Sequence, residues 1–193
     1  VVNFDAGAAK RVKLKKVLNF SPEASIPIQG RVALHRDTAD ELNPSYKPLV
    51  VGGWLRAEEL NGVLIAHGGE SHGYSLSIVD GHPFFAVRAD GVMSVLEAGE
   101  VQQGEWTHVA ASLDADGQGR IYINGQEVSK GPMSLVKNRP ADGLDLGIDA
   151  GSLVGPFETE TGFVGELRDV RLYWGSLPKR QWNQWIQKSA RDR

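Results

Sequence analysis

The sequence predicts an all-β fold, a two-sheet antiparallel sandwich followed by a short C-terminal helix. In residues 104–128, Val109, Ala111 and Leu113 alternate with residues of the opposite face, and a period of two is typical of a strand. Asn124-Gly125 is the pair favoured in a type I′ hairpin turn. The 23 Gly and 9 Pro of the chain suit many short strands joined by turns. An isolated meander cannot bury its apolar face, so a second sheet must pack against it.

Composition limits the classes of function. The chain has 193 residues, enough for a sizeable core. We expect one domain over residues 1–193, with 1–11 and 188–193 peripheral. The net charge of −3 indicates no general affinity for nucleic acid. The absence of Cys excludes disulfides, thiol nucleophiles and Cys-ligated zinc. No apolar run is long enough to predict a membrane span.

The first half of the chain reads as strands separated by turns. Alternation predicts a strand at 12–20 with a bulge near Lys15-Lys16, and a short strand at 28–34. The polar segment 35–48 contains two X-Pro pairs and predicts a long loop. Further strands are expected at 49–56, 62–67, 74–79, 83–88 and 92–97.

Side-chain parity assigns faces to one of these strands. In 74–79, Tyr74, Leu76 and Ile78 are predicted to face the core, while Ser75 and Ser77 face outward. Three histidines flank the predicted turns and are interpreted as surface loop residues: His67, His72 and His82.

The second half continues the same pattern until the tail. After the turn at 114–119, Ile121 and Ile123 are predicted to face inward and Tyr122 outward. Strands at 144–148 and 163–173 close the sheets, the latter with a bulge at Arg168-Asp169. The tail is expected to be helical from Pro178, because its apolar residues follow the i, i+3, i+4 spacing. Those residues are Trp182, Trp185 and Ile186, and the two tryptophans are predicted to fix the helix to the sandwich.

Two stretches resemble known families. Residues 104–110 (GEWTHVA) with 121–125 (IYING) resemble the "G-x-W-x-H-V-A … L-Y-V-D-G" core of laminin G-like, concanavalin A-like jelly-roll domains. Residues 146–177 are similar to the calcium-loop and final-strand region of pentraxins. The beginning of that stretch is also similar to a jelly-roll domain appended to some bacterial arylsulfatases. These resemblances imply a jelly-roll sandwich, an extracellular or periplasmic location, and carbohydrate or a neighbouring domain as partner.

The pentraxin-like stretch implies a calcium loop. Asp149 stands where the first loop carboxylate of that family stands, and Glu158 matches a later one. Calcium requires six to eight oxygen ligands, and Gly151 and Thr161 replace two of the family's ligands. The alternative is that Asp149 accepts hydrogen bonds from backbone N–H groups of its own loop while Glu158 is solvated. We therefore expect a lost or weak calcium site, and no other cofactor is indicated.

No residue is assigned a catalytic role. Glycosidases of this fold usually carry an E-x-D-x-x-E strand, which the sequence lacks. His108 and Tyr122 are outward residues of the central meander and are the candidate ligand-binding residues. Trp54, Trp106 and Trp174 match core positions of the family and are expected to be buried.

The function that these patterns favour is a non-catalytic carbohydrate-binding or domain-docking module. The resemblances imply that it belongs to an extracytoplasmic protein, with a sulfatase-type hydrolase as one candidate parent. The alternative is a glycoside hydrolase of the concanavalin A-like fold. A pair of carboxylates about 5–10 Å apart in a groove would favour that alternative.

Overall fold

The computed structural model describes residues 15–19 and 26–190. Within them lie thirteen β-strands, one α-helix and a short 3-10 turn at Asp40–Leu42. The elements are β1 (Lys15–Asn19), β2 (Ile26–Gln29), β3 (Leu34–Arg36), β4 (Leu49–Ala57), β5 (Gly62–Gly68), β6 (Gly73–Val79), β7 (His82–Ala89), β8 (Val92–Glu97), β9 (Trp106–Leu113), β10 (Gln118–Ile123), β11 (Gln126–Pro132), β12 (Leu144–Leu146), β13 (Val164–Trp174) and α1 (Lys179–Ala190).

The strands form two sheets, and neighbouring strands in each pair antiparallel. The first sheet has the order β1-β13-β4-β9-β10-β11, with β2 also paired to β13. The second has the order β3-β12-β5-β6-β7-β8. From β4 onward the chain crosses to the second sheet for the hairpins of β5–β8, returns to the first sheet for those of β9–β11, and then crosses twice more to place β12 and β13. The predicted two-sheet sandwich with a C-terminal helix is confirmed.

The core lies between the sheets and contains most of the predicted apolar residues. Val109, Leu113 and Ile121 have at most 1% of their surface exposed. Ile123 is only half-buried, because it lies at the end of β10 beside the turn into the edge strand β11. Trp106 is also half-buried, since it begins β9 on the face that points away from the core, against the guanidinium of Arg168. The expected burial of these two residues is therefore wrong, whereas that of Trp54 and Trp174 is confirmed.

Turns and bulges lie close to their predicted places. Asn124 and Gly125 both have positive φ, as a type I′ turn requires. Pairing shifts register in β1 between Lys16 and Leu18, and in β13 between Arg168 and Arg171. The β13 bulge places Asp169 at φ +50°. Positions 12–14 and 20 of the first predicted strand lie outside the described residues.

The single short strand expected at 28–34 is wrong. The segment forms two strands that belong to different sheets, because β2 pairs with β13 and β3 pairs with β12. Gly30 has φ +68° between them, a conformation that breaks an extended run. The start of the expected 35–48 loop is therefore the end of β3.

The close approach of the two neighbouring strands, β9 and β13, explains the glycine pair in the middle of β4. A Cβ at Gly52 would lie 2.4 Å from the carbonyl oxygen of Val109 in β9. A Cβ at Gly53 would lie 2.9 Å from a methyl group of Val170 in the bulge. Both neighbouring strands approach β4 so closely that only glycine fits there.

Each sheet is covered on the face that points away from the core. The segment 147–163, between β12 and β13, crosses the second sheet, and Arg88 Nε donates to the carbonyl oxygen of Val154 at 2.9 Å. Ser75 and Ser77 point away from the core as predicted, yet both are fully buried beneath this segment next to Gly155. Helix α1 covers part of the first sheet. No helix in the described part of the chain is long and apolar enough to cross a membrane.

Candidate functional site

Helix α1 is attached to the outer face of the first sheet by Trp185. This side chain is fully buried, with its ring centroid 4.7 Å from that of His108 and 5.9 Å from that of Tyr173. Its indole Nε1 donates to the backbone carbonyl of Asp169 in the β13 bulge at 3.1 Å. The prediction that the tail tryptophans fix the helix to the sandwich is therefore confirmed for Trp185.

His108 does point away from the core, but it is not available to a ligand. The imidazole is fully buried between Trp54 and Trp185, and neither ring nitrogen has a hydrogen-bond partner among the described residues. Burial, reinforced by the charge of Arg171, lowers its pKa to about 3. The expectation that His108 lies on an open face is wrong, because the helix covers it. The imidazole of His108 instead packs beneath α1.

A groove lies beside the start of α1, and Tyr122 lines it. The ring of Tyr122 lies 4.6 Å from that of Trp182, centroid to centroid, and both side chains are half-buried. The groove encloses a cavity of about 190 Å³. We call it the helix groove, and its lining residues are Leu49, Val50, Ser112, Leu113, Asp114, Arg120, Tyr122, Ser176, Leu177 and Trp182.

A pair of opposite charges forms one wall of the helix groove. Arg120 makes a short ion pair with Asp114, and its Nε lies 3.3 Å from a carboxylate oxygen of Glu127. Burial raises the pKa of Asp114, and the neighbouring Asp116 carboxyl raises it further, while Arg120 opposes both. The groove thus offers aromatic rings, hydroxyl groups and a charged hydrogen-bonding pair in one concavity.

Sequence reasoning found Tyr122 but not the charged wall. Asp114 was interpreted as a turn residue, and it does accept from the backbone N–H of Gln118. Its second contact, with Arg120, follows from the hairpin that brings the ends of β9 and β10 together. The predicted turn at 114–119 was therefore the sequence feature from which the contact between Asp114 and Arg120 could have been expected.

The structure supports the alternative interpretation of Asp149. The carboxylate is buried, and its Oδ2 accepts from the backbone N–H of Val154 at 2.7 Å and, more weakly, of Gly155 at 3.4 Å. Burial raises its pKa to about 6, although the two backbone donors oppose the shift. Glu158 is exposed, and it is Glu160 that accepts from a loop N–H, that of Gly151.

The described residues form neither a metal-binding cluster nor a nucleophile elbow. Among the described residues no group of three or more His, Asp or Glu side chains is placed to hold a metal ion. Residues 69–73 have the G-x-S-x-G spacing of a hydrolase nucleophile. However, they form the hairpin turn between β5 and β6, whereas a nucleophile elbow joins a strand to a helix. His67, interpreted as a loop residue, is buried in β5.

Most of the chain matches the profile of a known protein family. The profile of the concanavalin A-like lectin/glucanases superfamily, of laminin G type, matches residues 39–181. The chain belongs to this superfamily. Comparison with curated proteins finds no match.

Solved structures similar to this concanavalin A-like chain share its fold at low identity. The CBM40 of a Ruminococcus gnavus sialidase, bound to α2,3-sialyllactose, is 16% identical with a TM-score of 0.65, over 91% of this chain and 99% of that one. Domain 4 of the Geobacillus stearothermophilus arabinanase AbnA, with arabinotriose, is 22% identical with a TM-score of 0.64, over 84% and 76%. Domains LG4-5 of mouse laminin α1 are 18% identical with a TM-score of 0.62, over 80% and 44%.

Calcium is expected to leave the stability of this concanavalin A-like domain unchanged. Asp149 already receives backbone donors, and Gly151 and Thr161 supply no carboxylate. An ion bound only to the native state would add about 2.7 kcal/mol at a hundred times its dissociation constant. Thermal melts with millimolar calcium or with a chelator test this. A rise of several degrees in the melting temperature with calcium, abolished by Asp149→Ala, would instead support a functional calcium loop.

The buried carboxyl of Asp149 is expected to make the domain less stable at neutral pH than at mildly acidic pH. Its pKa rises from 3.8 in the unfolded chain to about 6 in the fold, so the stabilisation is complete below pH 3.8 and is lost as pH rises through 6. The full effect is about 3 kcal/mol.

The test compares wild type with Asp149→Asn by urea unfolding between pH 4 and pH 7.5. Asparagine keeps an acceptor for the backbone donors and cannot ionise, so the variant should gain stability relative to wild type as pH rises. Glu158→Gln, an exposed change in the same loop, should show no such trend. A constant difference between Asp149→Asn and wild type would contradict the assignment.

Proposed function

We propose that this domain binds carbohydrate in the helix groove, as a non-catalytic module of an extracytoplasmic protein. The observation that carries the proposal is the placement of the Tyr122 and Trp182 rings beside the Arg120–Asp114 pair in one concavity. Sugars present apolar C–H faces and hydroxyl groups, which fit aromatic rings and charged hydrogen-bonding groups respectively. Ser112 and Ser176 add hydroxyl groups to the lining.

The ligands named for two fold neighbours support this class of partner. One is a CBM40 bound to sialyllactose and the other an arabinanase domain with arabinotriose. The helix groove of this chain is proposed to bind a ligand of the same class, an oligosaccharide. A parent hydrolase of sulfatase type remains a proposal that follows from the sequence resemblance alone.

The acidic groups of the helix groove support the proposed non-catalytic role. Asp114 is the one carboxylate among the described residues that line the groove, and it is engaged by Arg120. Glycoside hydrolysis requires two carboxyl groups on opposite sides of the scissile bond. This arrangement favours binding over the alternative of a glycoside hydrolase.

Isothermal titration of the domain with members of a glycan library tests the proposal. Trp182→Ala and Tyr122→Ala should each weaken binding by about twofold to tenfold, since an aromatic contact contributes on the order of 0.5–1.5 kcal/mol. Trp106→Ala is the matched control, because Trp106 is a half-buried tryptophan of the same sheet face outside the groove.

Two results would contradict the proposal. Binding that survives both groove substitutions would place the site elsewhere. Absence of binding across the library would reject carbohydrate as the partner. Docking to a neighbouring domain would then be favoured, and the exposed apolar side chains of the edge strand β8, Val92 and Val95, would be the first surface to test.

A further inference from the structure

The charges around the helix groove carry an inference about its ligand, which rests on the proposed function. Arg120 is the one cation among the groove's lining residues, and its guanidinium already faces two carboxylates, Asp114 and Glu127. About four-fifths of its side-chain surface is buried, so it has little freedom to turn toward another partner. Among the residues that the structure describes, the groove wall therefore has no uncommitted cation.

Carboxylates outnumber cations around Arg120. Asp116 follows Asp114 in the same turn and adds a third carboxylate to the neighbourhood of Arg120. Lys130 lies opposite Arg120 in the β10–β11 pairing but is exposed, and it does not line the groove. Lys179 and Arg180 at the start of α1 are likewise exposed and outside the lining.

We infer that the helix groove selects uncharged saccharides and rejects those that carry a carboxylate or sulfate. An anionic sugar would meet the carboxylate of Asp114 and would have to displace Glu127 or Asp114 to reach Arg120. A neutral sugar can instead donate its hydroxyl hydrogens to Asp114 and accept from Arg120 without breaking their ion pair. Charge rejection of this kind gives specificity more than affinity.

The experiment uses matched glycans that differ by one acidic sugar, such as lactose and sialyllactose, or a neutral oligosaccharide and its uronic-acid counterpart. Titration of the domain at low ionic strength should show the acidic member binding at least about tenfold more weakly. Added salt should narrow the gap, because it screens the repulsion.

Two variants separate charge from shape. Asp114→Asn removes the repelling charge and should reduce the gap between the two members to about threefold or less. Glu127→Gln leaves Asp114 in place, releases one side of Arg120, and should strengthen binding of the acidic member alone. The second variant keeps the test valid if Asp114→Asn disturbs the turn.

The outcomes are distinguishable from those that test the proposed function. Equal or tighter binding of the acidic member, lost in Trp182→Ala, would overturn charge selection and leave carbohydrate binding in the groove intact. Failure of every neutral and acidic member to bind the wild-type domain would overturn the proposed function and this inference together.

Discussion

Trp185→Ala is expected to lower the free energy of unfolding by about 3–5 kcal/mol. The side chain is fully buried against His108 and Tyr173, and its indole N–H satisfies the backbone carbonyl of Asp169. Truncation leaves a cavity and an unpaired carbonyl, and α1 has no other fully buried side chain among its described residues. Urea unfolding followed by circular dichroism measures the loss.

Trp182→Ala is the matched control for this experiment. Trp182 lies on the same helix and contacts Trp185, but it is only half-buried beside the helix groove. Its truncation should cost clearly less stability while reducing glycan binding. Equal losses of stability from the two changes would contradict the role of Trp185 as the anchor of α1.

Acidification from pH 7 to pH 4 is expected to destabilise the domain through two buried imidazoles. Burial lowers the pKa of His108 to about 3 and that of His67 to about 4, with Arg171 and Arg139 adding to the respective shifts. Both lie below the 6.5 of the unfolded chain, so the stabilisation is complete above pH 6.5 and is lost as pH falls toward the folded values.

The expected loss in the free energy of unfolding between pH 7 and pH 4 is about 3 kcal/mol for each imidazole. Asp149 acts in the opposite direction by up to about 3 kcal/mol, since its carboxyl becomes protonated over part of the same range. The net loss is therefore about 3 kcal/mol, a substantial share of the stability of an ordinary domain.

His108→Leu isolates one of these contributions. Leucine has a similar volume, and the imidazole nitrogens have no partner among the described residues for the substitution to remove. Between pH 7 and pH 4, the variant should lose about 3 kcal/mol less than wild type in urea unfolding. Parallel pH profiles would show that protonation of His108 does not contribute to acid unfolding.

Local patterns were sufficient to predict most of the described strands, the hairpin turn and both bulges, but not the division of residues 28–34 between β2 and β3. Alternation also placed His108, Ser75 and Ser77 correctly on the faces that point away from the core. It could not show that those faces are covered, because parity reports the side of a sheet and not what lies over it. The covering elements, α1 and the segment 147–163, come from distant parts of the chain.

The same limit applies to the candidate site. Tyr122 could be predicted because its outward direction follows from its neighbours in β10. Its contact with Trp182 could not, since it depends on where α1 crosses the sheet. The second role of Asp114, as a wall of the helix groove, depends on that same crossing, whereas its role in the turn is local.

The position of β13 in the first sheet has a consequence for synthesis of the protein. This strand pairs with β4, which precedes it by roughly one hundred residues, and also with β1 and β2. While the ribosome is still translating the intervening hairpins, β4 can pair with β9 but has an open edge on its other side. Such an edge can pair with another chain. The nascent protein is therefore most vulnerable to aggregation until residue 174 has emerged, and chaperone dependence should fall sharply at that point.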